Sequence, residues 1–241
     1  MQLIFLSFKT VFFLVFGLVI SLGSSASSYL KIGNTTINVE HPLGFLETSK
    51  NSSELWDLAQ LMVSGKNEII AHYVSKRDLD DYNSNKSPKF EKYFTILTPK
   101  STKNSSISQE DFEKLRHETI SIQNTLRKNI EPRVNHVLGN LSDDLSLQLK
   151  KDVSLAVDQT TPISINANRK NLLSYSVLSR INVSDQKNEV SQVMISTTGI
   201  VLLKGKILLL NSYSNFENPQ DLQYSREAIE SWANSIISLN P

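Results

Sequence analysis

Alternating and continuous apolar runs near the end of the chain predict a pair of antiparallel strands. Polar and apolar residues alternate over residues 190–197, and residues 200–203 continue the same strand. The turn falls at Lys204-Gly205, because glycine reaches positive φ without a Cβ clash, and residues 206–213 run back. We interpret Gly199 as a bulge in the first strand, since a glycine inside a strand pattern often marks one.

A helix is predicted after this hairpin. Asn218 is a favourable N-cap residue, Pro219 suits the first helical position, and Asp221 places a carboxylate near the positive helix end. Residues at helical spacing then form one mostly apolar face: Leu222, Ser225, Ile229, Trp232, Ala233 and Ile236. Such a face needs a sheet to cover, so we expect the hairpin and this helix to form the core of the fold.

The first half of the chain predicts further strands. Residues 29–32 and 36–39 are short strand patterns around Gly33-Asn34, which is a hairpin signal. Residues 68–74 and 90–97 are apolar on both faces, as in strands that are covered from both sides.

The segments between these strands are predicted to be one helix and one loop. Asn51 or Ser52 is the N-cap of the helix. Its apolar stripe consists of Leu55, Leu58, Ala59 and Met62. The polar stretch over residues 75–89 is predicted to be a loop that holds at most a helical turn.

Residues 108–150 are predicted to form two consecutive helices. Ser108 is the N-cap, with Asp111 three residues later as in a variant of the capping box. Apolar spacing defines the first helix through Phe112, Leu115, Thr119, Ile122 and Leu126. Pro132 interrupts it, because proline disfavours helix in the residue before it. The second helix is defined by Val134, Val137, Leu138, Leu141, Leu145 and Leu149.

The order of these elements predicts an α+β fold. Strand patterns follow one another after residue 153 without helices between them, which argues against a parallel doubly wound sheet. We therefore predict a mostly antiparallel sheet with helices packed on both faces, plus a helical-pair insertion at about residues 108–150. A chain of 241 residues suits one domain with an insertion, and we place that domain at residues 27–241.

Residues 1–26 have the pattern of a secretory signal peptide. Lys9 precedes an uninterrupted apolar run over residues 11–22, and Ser24-Ser25-Ala26 supplies the small residues of a cleavage site. We predict cleavage near Ala26 and a periplasmic or secreted mature protein. The alternative is an uncleaved membrane anchor, in which Lys9 would lie inside a span of about 20 apolar residues. The membrane would be a partner only in that arrangement.

Composition and charge exclude several classes of function. The chain has no cysteine, so disulfides, thiolate nucleophiles and cysteine-ligated metal centres are ruled out. Its formal charge is +1 and it carries no basic stripe, which argues against nucleic acid as a partner. The expected partner is therefore an unknown envelope protein or a small ligand.

Four histidines are the first candidates for chemistry, namely His41, His72, His117 and His136. His117 is followed by Glu118 but lacks the second histidine of a zinc-protease helix. His72 lies in an apolar strand, where a hydrogen-bonded core histidine is commoner than a base or a metal ligand. His117 and His136 lie on separate predicted helices, so the spacing does not bring them together.

Acidic clusters and a Ser-Lys pair complete the candidates. The carboxylates that could form a weak calcium site are Glu54, Asp57, Asp78, Asp80 and Asp81. The alternative for the last three is a helix start or a solvated loop, and Asp143-Asp144 has the same helix-start interpretation. Ser184 and Lys187 match the Ser-x-x-Lys spacing of acyl-transfer enzymes, but they lie in a predicted hairpin loop instead of a buried helix.

The end of the chain resembles a known group of proteins. The resemblance rests on Val-Leu-Leu-Lys-Gly-Lys-Ile-Leu-Leu-Leu from residue 201, followed by Tyr213, Asp221-Leu222, Trp232 and Asn240. This pattern resembles the end of uncharacterised exported proteins of proteobacteria. The order of elements is similar to the wider Mog1/PsbP/DcrB-like group, which implies an antiparallel sheet with helices on both faces. That group contains a photosystem accessory subunit, a GTPase-binding protein and envelope proteins, so the resemblance implies no catalytic residue.

The sequence therefore assigns no catalytic, cofactor-binding or metal-binding residue, and no cofactor. Our first hypothesis is an exported, non-catalytic accessory or binding protein of unknown ligand. One alternative is a hydrolase or metal-dependent enzyme built from scattered Asp, His and Ser residues. It requires that at least two of a set of five side chains converge in one pocket, namely Asp78, Asp80, His72, His117 and His136. The other alternative is a membrane-anchored envelope protein that keeps its N-terminal segment.

Overall fold

The computed structural model describes residues 27–63, 65–144, 156–185 and 188–241. Only the backbone is described for residues 129–144, 156–159, 181–185 and 188–191. The predicted signal peptide, the end of the predicted second helix and Lys187 of the Ser-Lys pair lie outside the described residues. Among the helices of the described ranges, none is long and apolar enough to span a membrane.

The strands of the described ranges form two antiparallel sheets. Their bounds are β1 Ser27–Ile32, β2 Thr35–Glu40, β3 Phe45–Glu47, β4 Asn67–Ser75, β5 Lys92–Pro99, β6 Ala156–Arg169, β7 Leu172–Asp185, β8 Asn188–Leu203 and β9 Lys206–Asn215. Strands β1 and β2 form a separate hairpin, and the other seven are ordered β3-β4-β5-β9-β8-β7-β6. All neighbouring pairs are antiparallel, so the predicted class of sheet is confirmed.

Helices pack on both faces of the large sheet, as predicted. Their bounds are α1 Thr48–Asn51, α2 Ser53–Leu61, α3 Lys76–Asn83, α4 Gln109–Asp144 and α5 Pro219–Ser238. The first face, as we call it, is covered by α5 and the β1–β2 hairpin. The second face is covered by α2 and the start of α4. Because strand side chains alternate, Leu172 points to the first face and Leu173 to the second.

The predicted hairpin near the end of the chain is confirmed as β8 and β9. Leu203 pairs with Lys206 across a turn formed by Lys204 and Gly205. Both turn residues have positive φ, 48° and 74°, which suits the tight turns that match the twist of paired strands. The β1–β2 hairpin around Gly33 is confirmed in the same way.

The predicted bulge at Gly199 is wrong. Pairing of β8 with β9 runs through Gly199 without a register shift, with Gly199 opposite Leu210. A Cβ on Gly199 would lie 3.0 Å from Ile229 Cγ2, which is closer than side chains normally pack. The absence of a Cβ at Gly199 therefore lets Ile229 of α5 pack directly against β8.

Helix α5 confirms its predicted start and its buried face. Asn218 and Asp221 form a capping box, with the Asp221 carboxylate accepting the Asn218 backbone N–H at 3.0 Å. The buried residues of the helix are Ser225, Ile229, Trp232, Ala233 and Ile236. Trp232 packs edge-on against Tyr73 and Phe94, and its Nε1 donates to the Glu40 carbonyl at 2.7 Å. This bond ties the helix to the β1–β2 hairpin.

The two predicted helices of residues 108–150 are one helix as far as the structure describes them. Ser108 caps α4 by accepting the Asp111 backbone N–H at 3.1 Å, and Phe112 is fully buried. The backbone then stays helical through Pro132 to Asp144, over 36 residues in total. Proline removes one backbone hydrogen bond and disfavours helix before it, but neighbouring turns of a long helix can carry the chain through.

Residues 75–89 also differ from the prediction, because they contain a helix of eight residues, α3. Ser75 is its N-cap and accepts the Asp78 backbone N–H at 3.0 Å. The segment is so polar that no apolar stripe indicates the helix, which has one buried residue, Leu79. The short strand β3 and the single turn α1 were not predicted at all, since elements of three or four residues carry little periodicity.

Candidate functional site

Helix α2 packs only part of its apolar stripe against the sheet. Ser52 is the N-cap, and its hydroxyl accepts the Leu55 backbone N–H at 3.4 Å. Leu55 and Ala59 are buried under the helix. Leu58 and Met62, on the same predicted stripe, remain 52% and 63% exposed. The stripe therefore lies half on the sheet and half in solvent.

An open groove lies between α2 and the second face of strands β4 and β5. We call it the α2 groove, and its lining residues are Leu55, Leu58, Ala59, Met62, His72, Val74, Phe90 and Tyr93. Its volume is about 170 Å³ and its walls are almost wholly apolar. Leu61, next to Met62 on α2, is 83% exposed, so apolar surface continues along the helix beyond the groove.

His72 contributes a neutral imidazole to the groove. Its Nδ1 lies 3.1 Å from Thr48 Oγ1, and the Thr48 hydroxyl donates to the His72 carbonyl oxygen at 3.3 Å. Burial lowers the pKa of His72 to about 4, because the charged imidazolium would lose its hydration. The Tyr93 ring packs edge-on against it, with ring centroids 5.7 Å apart. His72 is thus a hydrogen-bonded histidine, as predicted, but it borders a groove.

Two stacked tyrosines extend the second face from the groove toward β9. The rings of Tyr93 and Tyr213 lie 4.6 Å apart and nearly parallel. Burial raises the pKa of both hydroxyls, so they remain protonated at neutral pH. Next to them Asn211 donates to Thr95 Oγ1 at 3.1 Å and accepts from Thr198 Oγ1 at 2.8 Å. These side chains form a neutral surface that has no acid or base poised for proton transfer.

The outer side of α2 carries negative charge. The Tyr82 hydroxyl donates to the exposed Glu54 at 2.6 Å, and Gln60 donates to the exposed Asp57 at 3.3 Å. Neither carboxylate takes part in an ion pair among the described side chains. The outer side of α2 therefore carries two exposed carboxylates that have no ion-pair partner among the described side chains.

The predicted acidic cluster on α3 has a structural role, and its helix-start interpretation is confirmed. Asp78 caps α3 with Ser75 and accepts the backbone N–H of Phe90 at 3.2 Å. Asp81 lies 3.8 Å from the Lys86 ammonium, and Asp80 is exposed. Across the described residues, no group of three or more His, Asp or Glu side chains could hold a metal ion.

The remaining predicted candidates are dispersed. His117 is exposed on α4. The side chains of His136, Asp143, Asp144 and Ser184 lie outside the described residues. Ser184 lies in strand β7, which ends at Asp185, and Lys187 lies outside the described residues.

A buried polar cluster at the edge of the first face was not predicted from the sequence. Glu47 is 4% exposed and lies 3.5 Å from His41 Nε2 and 2.7 Å from the Lys50 ammonium. Burial opposes ionisation of Glu47, but hydrogen bonds from His41, Lys50 and Ser49 outweigh it and lower its pKa to about 2. Nothing in the local sequence marks a short strand that ends in a buried carboxylate.

This cluster does not have the geometry of a catalytic triad. Ser28 Oγ lies 3.3 Å from His41 Nε2, the same nitrogen that faces Glu47. His41 Nδ1 is buried without a hydrogen-bond partner. In a triad the serine and the acid use different ring nitrogens, so that the acid orients the base toward the nucleophile. The cluster instead ties the β1–β2 hairpin to the edge strand β3.

Comparisons of this chain with known proteins found similarity to solved structures but to no family model and no curated sequence. No protein-family model matches it, and no curated protein sequence is similar to it. Among solved structures it is similar to the Ran-binding protein Mog1p of Saccharomyces cerevisiae, with a TM-score of 0.35 and 10% identity, over 90% of this chain and 95% of that one. A point mutant of the protein Mog1 matches with the same TM-score and identity, over 89% of this chain and 94% of that one. A similarity of this size says nothing about the partners of the present chain.

Proposed function

We propose that this chain is a non-catalytic binding protein that recognises an apolar side chain of a polypeptide partner in the α2 groove. The observation that carries the proposal is the incomplete burial of α2. Leu58, Leu61 and Met62 are more than half exposed on consecutive turns of one short helix, directly beside an open apolar groove. Exposed apolar surface that is gathered in one place is typical of interaction sites.

The size of the apolar surface favours a polypeptide over a lone small molecule. The groove itself has room for one side chain, at about 170 Å³. Leu61 lies outside its lining and would stay in water if only the groove were filled. A partner segment that fills the groove and also lies along α2 would cover all three side chains. Full burial of each contributes ~1.5–3 kcal/mol, reduced here because each is already partly buried.

The negative charges on α2 favour a positively charged partner segment. Glu54 and Asp57 lie on the exposed side of α2 and have no ion-pair partner among the described side chains. A partner segment with lysine or arginine beside its apolar side chain would complement them. Such charges mainly increase the rate of association and the specificity of binding.

The absence of assembled chemistry in the described residues supports a binding role over the hydrolase or metal-enzyme alternative. That alternative needs acid, base or metal-ligating side chains within hydrogen-bond reach of one another. Here His72 lies in the groove, Asp78 caps α3 and His117 is exposed on α4. The tyrosines beside the groove remain neutral phenols.

The proposal places the protein outside the cytoplasm. Its support is the apolar run over residues 11–22, followed by the small residues of a cleavage site that ends at Ala26. The resemblance of the C-terminal pattern to exported proteins of proteobacteria supports the periplasm as the compartment. N-terminal sequencing of the protein from cell fractions tests this: a chain beginning near Ser27 is expected, and an intact Met1 in the membrane fraction would support the anchored alternative.

Binding is tested with short peptides and the mature chain. The probes are acetyl-Lys-Phe-Lys-amide and acetyl-Glu-Phe-Glu-amide. Their binding is monitored through the amide NMR shifts of the residues that line the groove. The basic peptide should bind more tightly than the acidic one. A Leu58→Ser, Met62→Ser variant should bind it at least about fivefold more weakly, which is ~1 kcal/mol.

The matched control is Leu43→Ser, since Leu43 is 81% exposed but does not line the groove. This variant should bind like the wild type. Equal affinity in the groove variant and the wild type would contradict the site, and equal affinity for the two peptides would contradict the role of Glu54 and Asp57.

A further inference from the structure

We infer that the α2 groove selects a phenol, that is, a tyrosine side chain of the partner, whose hydroxyl donates a hydrogen bond to His72 Nε2. This inference rests on the proposed function and deepens it, because it names which apolar side chain the groove recognises. It is carried by the hydrogen bonds around His72, by the lining of the groove and by its volume.

The contacts of Thr48 point to Nδ1 as the ring nitrogen of His72 that carries the proton. The Thr48 hydroxyl has a single proton, which it donates to the His72 carbonyl oxygen at 3.3 Å. The same oxygen lies 3.1 Å from His72 Nδ1. Both contacts are hydrogen bonds only if Nδ1 carries the imidazole proton and donates it to Thr48, and this is the tautomer on which the inference rests. In a neutral imidazole the other nitrogen, Nε2, then has a free lone pair. His72 therefore offers the groove an acceptor.

The surroundings make this acceptor selective. Burial keeps His72 uncharged at neutral pH, with a pKa of about 4. The only other polar side-chain group among the lining residues is the Tyr93 hydroxyl. A ligand donor that reaches Nε2 gains a hydrogen bond in an apolar setting, where such bonds are strong. A charged ligand would lose its hydration without a counter-charge in the groove.

The volume of the groove is enough for one six-membered ring. At about 170 Å³ it is close to the ~150 Å³ of an engineered apolar cavity that binds benzene. Phe90 and Tyr93 supply aromatic surface to pack against such a ring. Among protein side chains, the single six-membered ring that carries a hydrogen-bond donor is the phenol of tyrosine.

The test compares p-cresol with toluene, which has the same ring and methyl group but no hydroxyl. Both are titrated into the full mature chain, and the amide NMR shifts of groove residues report binding. The wild type should bind p-cresol about fivefold more tightly than toluene, the effect of one net hydrogen bond. His72→Phe keeps an aromatic ring at this position and removes both ring nitrogens, so this variant should bind p-cresol and toluene equally.

Two further measurements sharpen the test. The ring ¹⁵N shifts of His72 should show a protonated Nδ1 and an unprotonated Nε2 in the wild type, and the Nε2 resonance should move when p-cresol is added. This readout needs no variant, so it decides the question even if His72→Phe does not fold. Acetyl-Lys-Tyr-Lys-amide should bind more tightly than acetyl-Lys-Phe-Lys-amide, which shows that the preference extends from the free phenol to a polypeptide.

The outcomes separate the inference from the proposed function. Equal binding of p-cresol and toluene in the wild type, a protonated Nε2, or a preference that survives in His72→Phe would overturn the inference and leave the groove as an apolar site. If neither probe nor either peptide shifts any groove amide, the proposed function falls and the inference falls with it.

Discussion

Helices α5 and α2 carry the same kind of apolar stripe, but the two stripes are buried to different extents. In α5 every residue from Ile229 to Ile236 that faces the sheet is buried, and Trp232 is 5% exposed. In α2 the inner half of the stripe is buried, while Leu58 and Met62 are more than half exposed. Apolar periodicity therefore predicts that a helix will bury one face, but not how much of that face finds a partner.

The difference comes from what surrounds each helix. Helix α5 has 20 residues, lies on the centre of the sheet and has the β1–β2 hairpin at its side. Helix α2 has nine residues and lies over strands β4 and β5. Helix α3 packs beside Leu55, and Leu58 and Met62 stay more than half exposed. The long helix between two layers is buried along its apolar face, whereas the short helix near the border of the sheet leaves part of its apolar stripe exposed.

The largest expected effect on stability is at Trp232, and it should differ clearly from the effect at the other tryptophan, Trp56. Trp232→Ala should lower the free energy of unfolding by ~3–5 kcal/mol, because the ring fills the space between Tyr73, Phe94 and the hairpin. Trp56→Ala on α2 should cost less than half as much, since Trp56 is only partly buried. Urea unfolding of both variants measures this. Equal losses would show that α2 contributes to the core as α5 does.

The region under α2 should be the pH-sensitive one. His72 takes up a proton near pH 6.5 when unfolded but only near pH 4 when folded. Stability should therefore fall as pH drops from about 6.5 to about 4, by at most ~3 kcal/mol, and this group should have no effect above that range. Urea unfolding across this range should show the slope in the wild type and its loss in His72→Gln.

His117→Gln is the matched control for that experiment, because His117 is exposed. Glu47 acts in a different window, since its pKa of about 2 makes its contribution disappear only as pH falls below 4.5. A slope between pH 6.5 and 4 that persists in His72→Gln would place the sensitive group elsewhere.

The close approach of α5 to β8 gives a smaller effect. Gly199→Ala should destabilise the fold by ~1–3 kcal/mol, because the new Cβ would press on Ile229 Cγ2. Ile229→Leu removes that methyl branch, so the double variant should recover part of the loss. Thermal or urea unfolding tests this coupling, with Gly65→Ala near the end of α2 as a neutral control because nothing lies near its Cβ position. Strict additivity would rule out the contact as the reason for glycine.

The smallest effect is expected at the exposed half of the α2 stripe. Leu58→Ser and Met62→Ser should each change stability by no more than ~0.5 kcal/mol, since both side chains are mostly in water. Ile236→Ser on α5 is the contrasting variant, because Ile236 is fully buried. Losses above ~1.5 kcal/mol at Leu58 or Met62, measured by urea unfolding, would mean that these residues serve the core and not a partner.

Much of the fold follows from local signals. The β8–β9 turn needs residues that tolerate positive φ, and Lys204-Gly205 meets that need. The start of α5 needs donors and acceptors for its free backbone groups, and Asn218 and Asp221 supply them. Local rules also mislead where distant contacts decide. Gly199 looks like a bulge until Ile229 is placed above it, and Pro132 looks like a helix end although the helix continues.

The candidate site could not be predicted in the same way. His72 and Tyr93 come from neighbouring strands, and Thr48 joins them from a single helical turn that has no periodic signature. The sequence marks His72 as a histidine in an apolar strand, which is the one signal that points toward the groove. Which residues meet it depends on strand order and register, and those are set by long-range pairing.

The sequence alone determined the class of fold, the main turns, the helix caps and the stripes that must face a sheet, because each depends on neighbours within a few residues. Tertiary structure alone decided that α2 leaves part of its stripe uncovered, that Thr48 meets the His72 imidazole, and that Glu47 is buried beside His41. These features arise where distant segments meet, and their free energies depend on burial and geometry that no local pattern encodes.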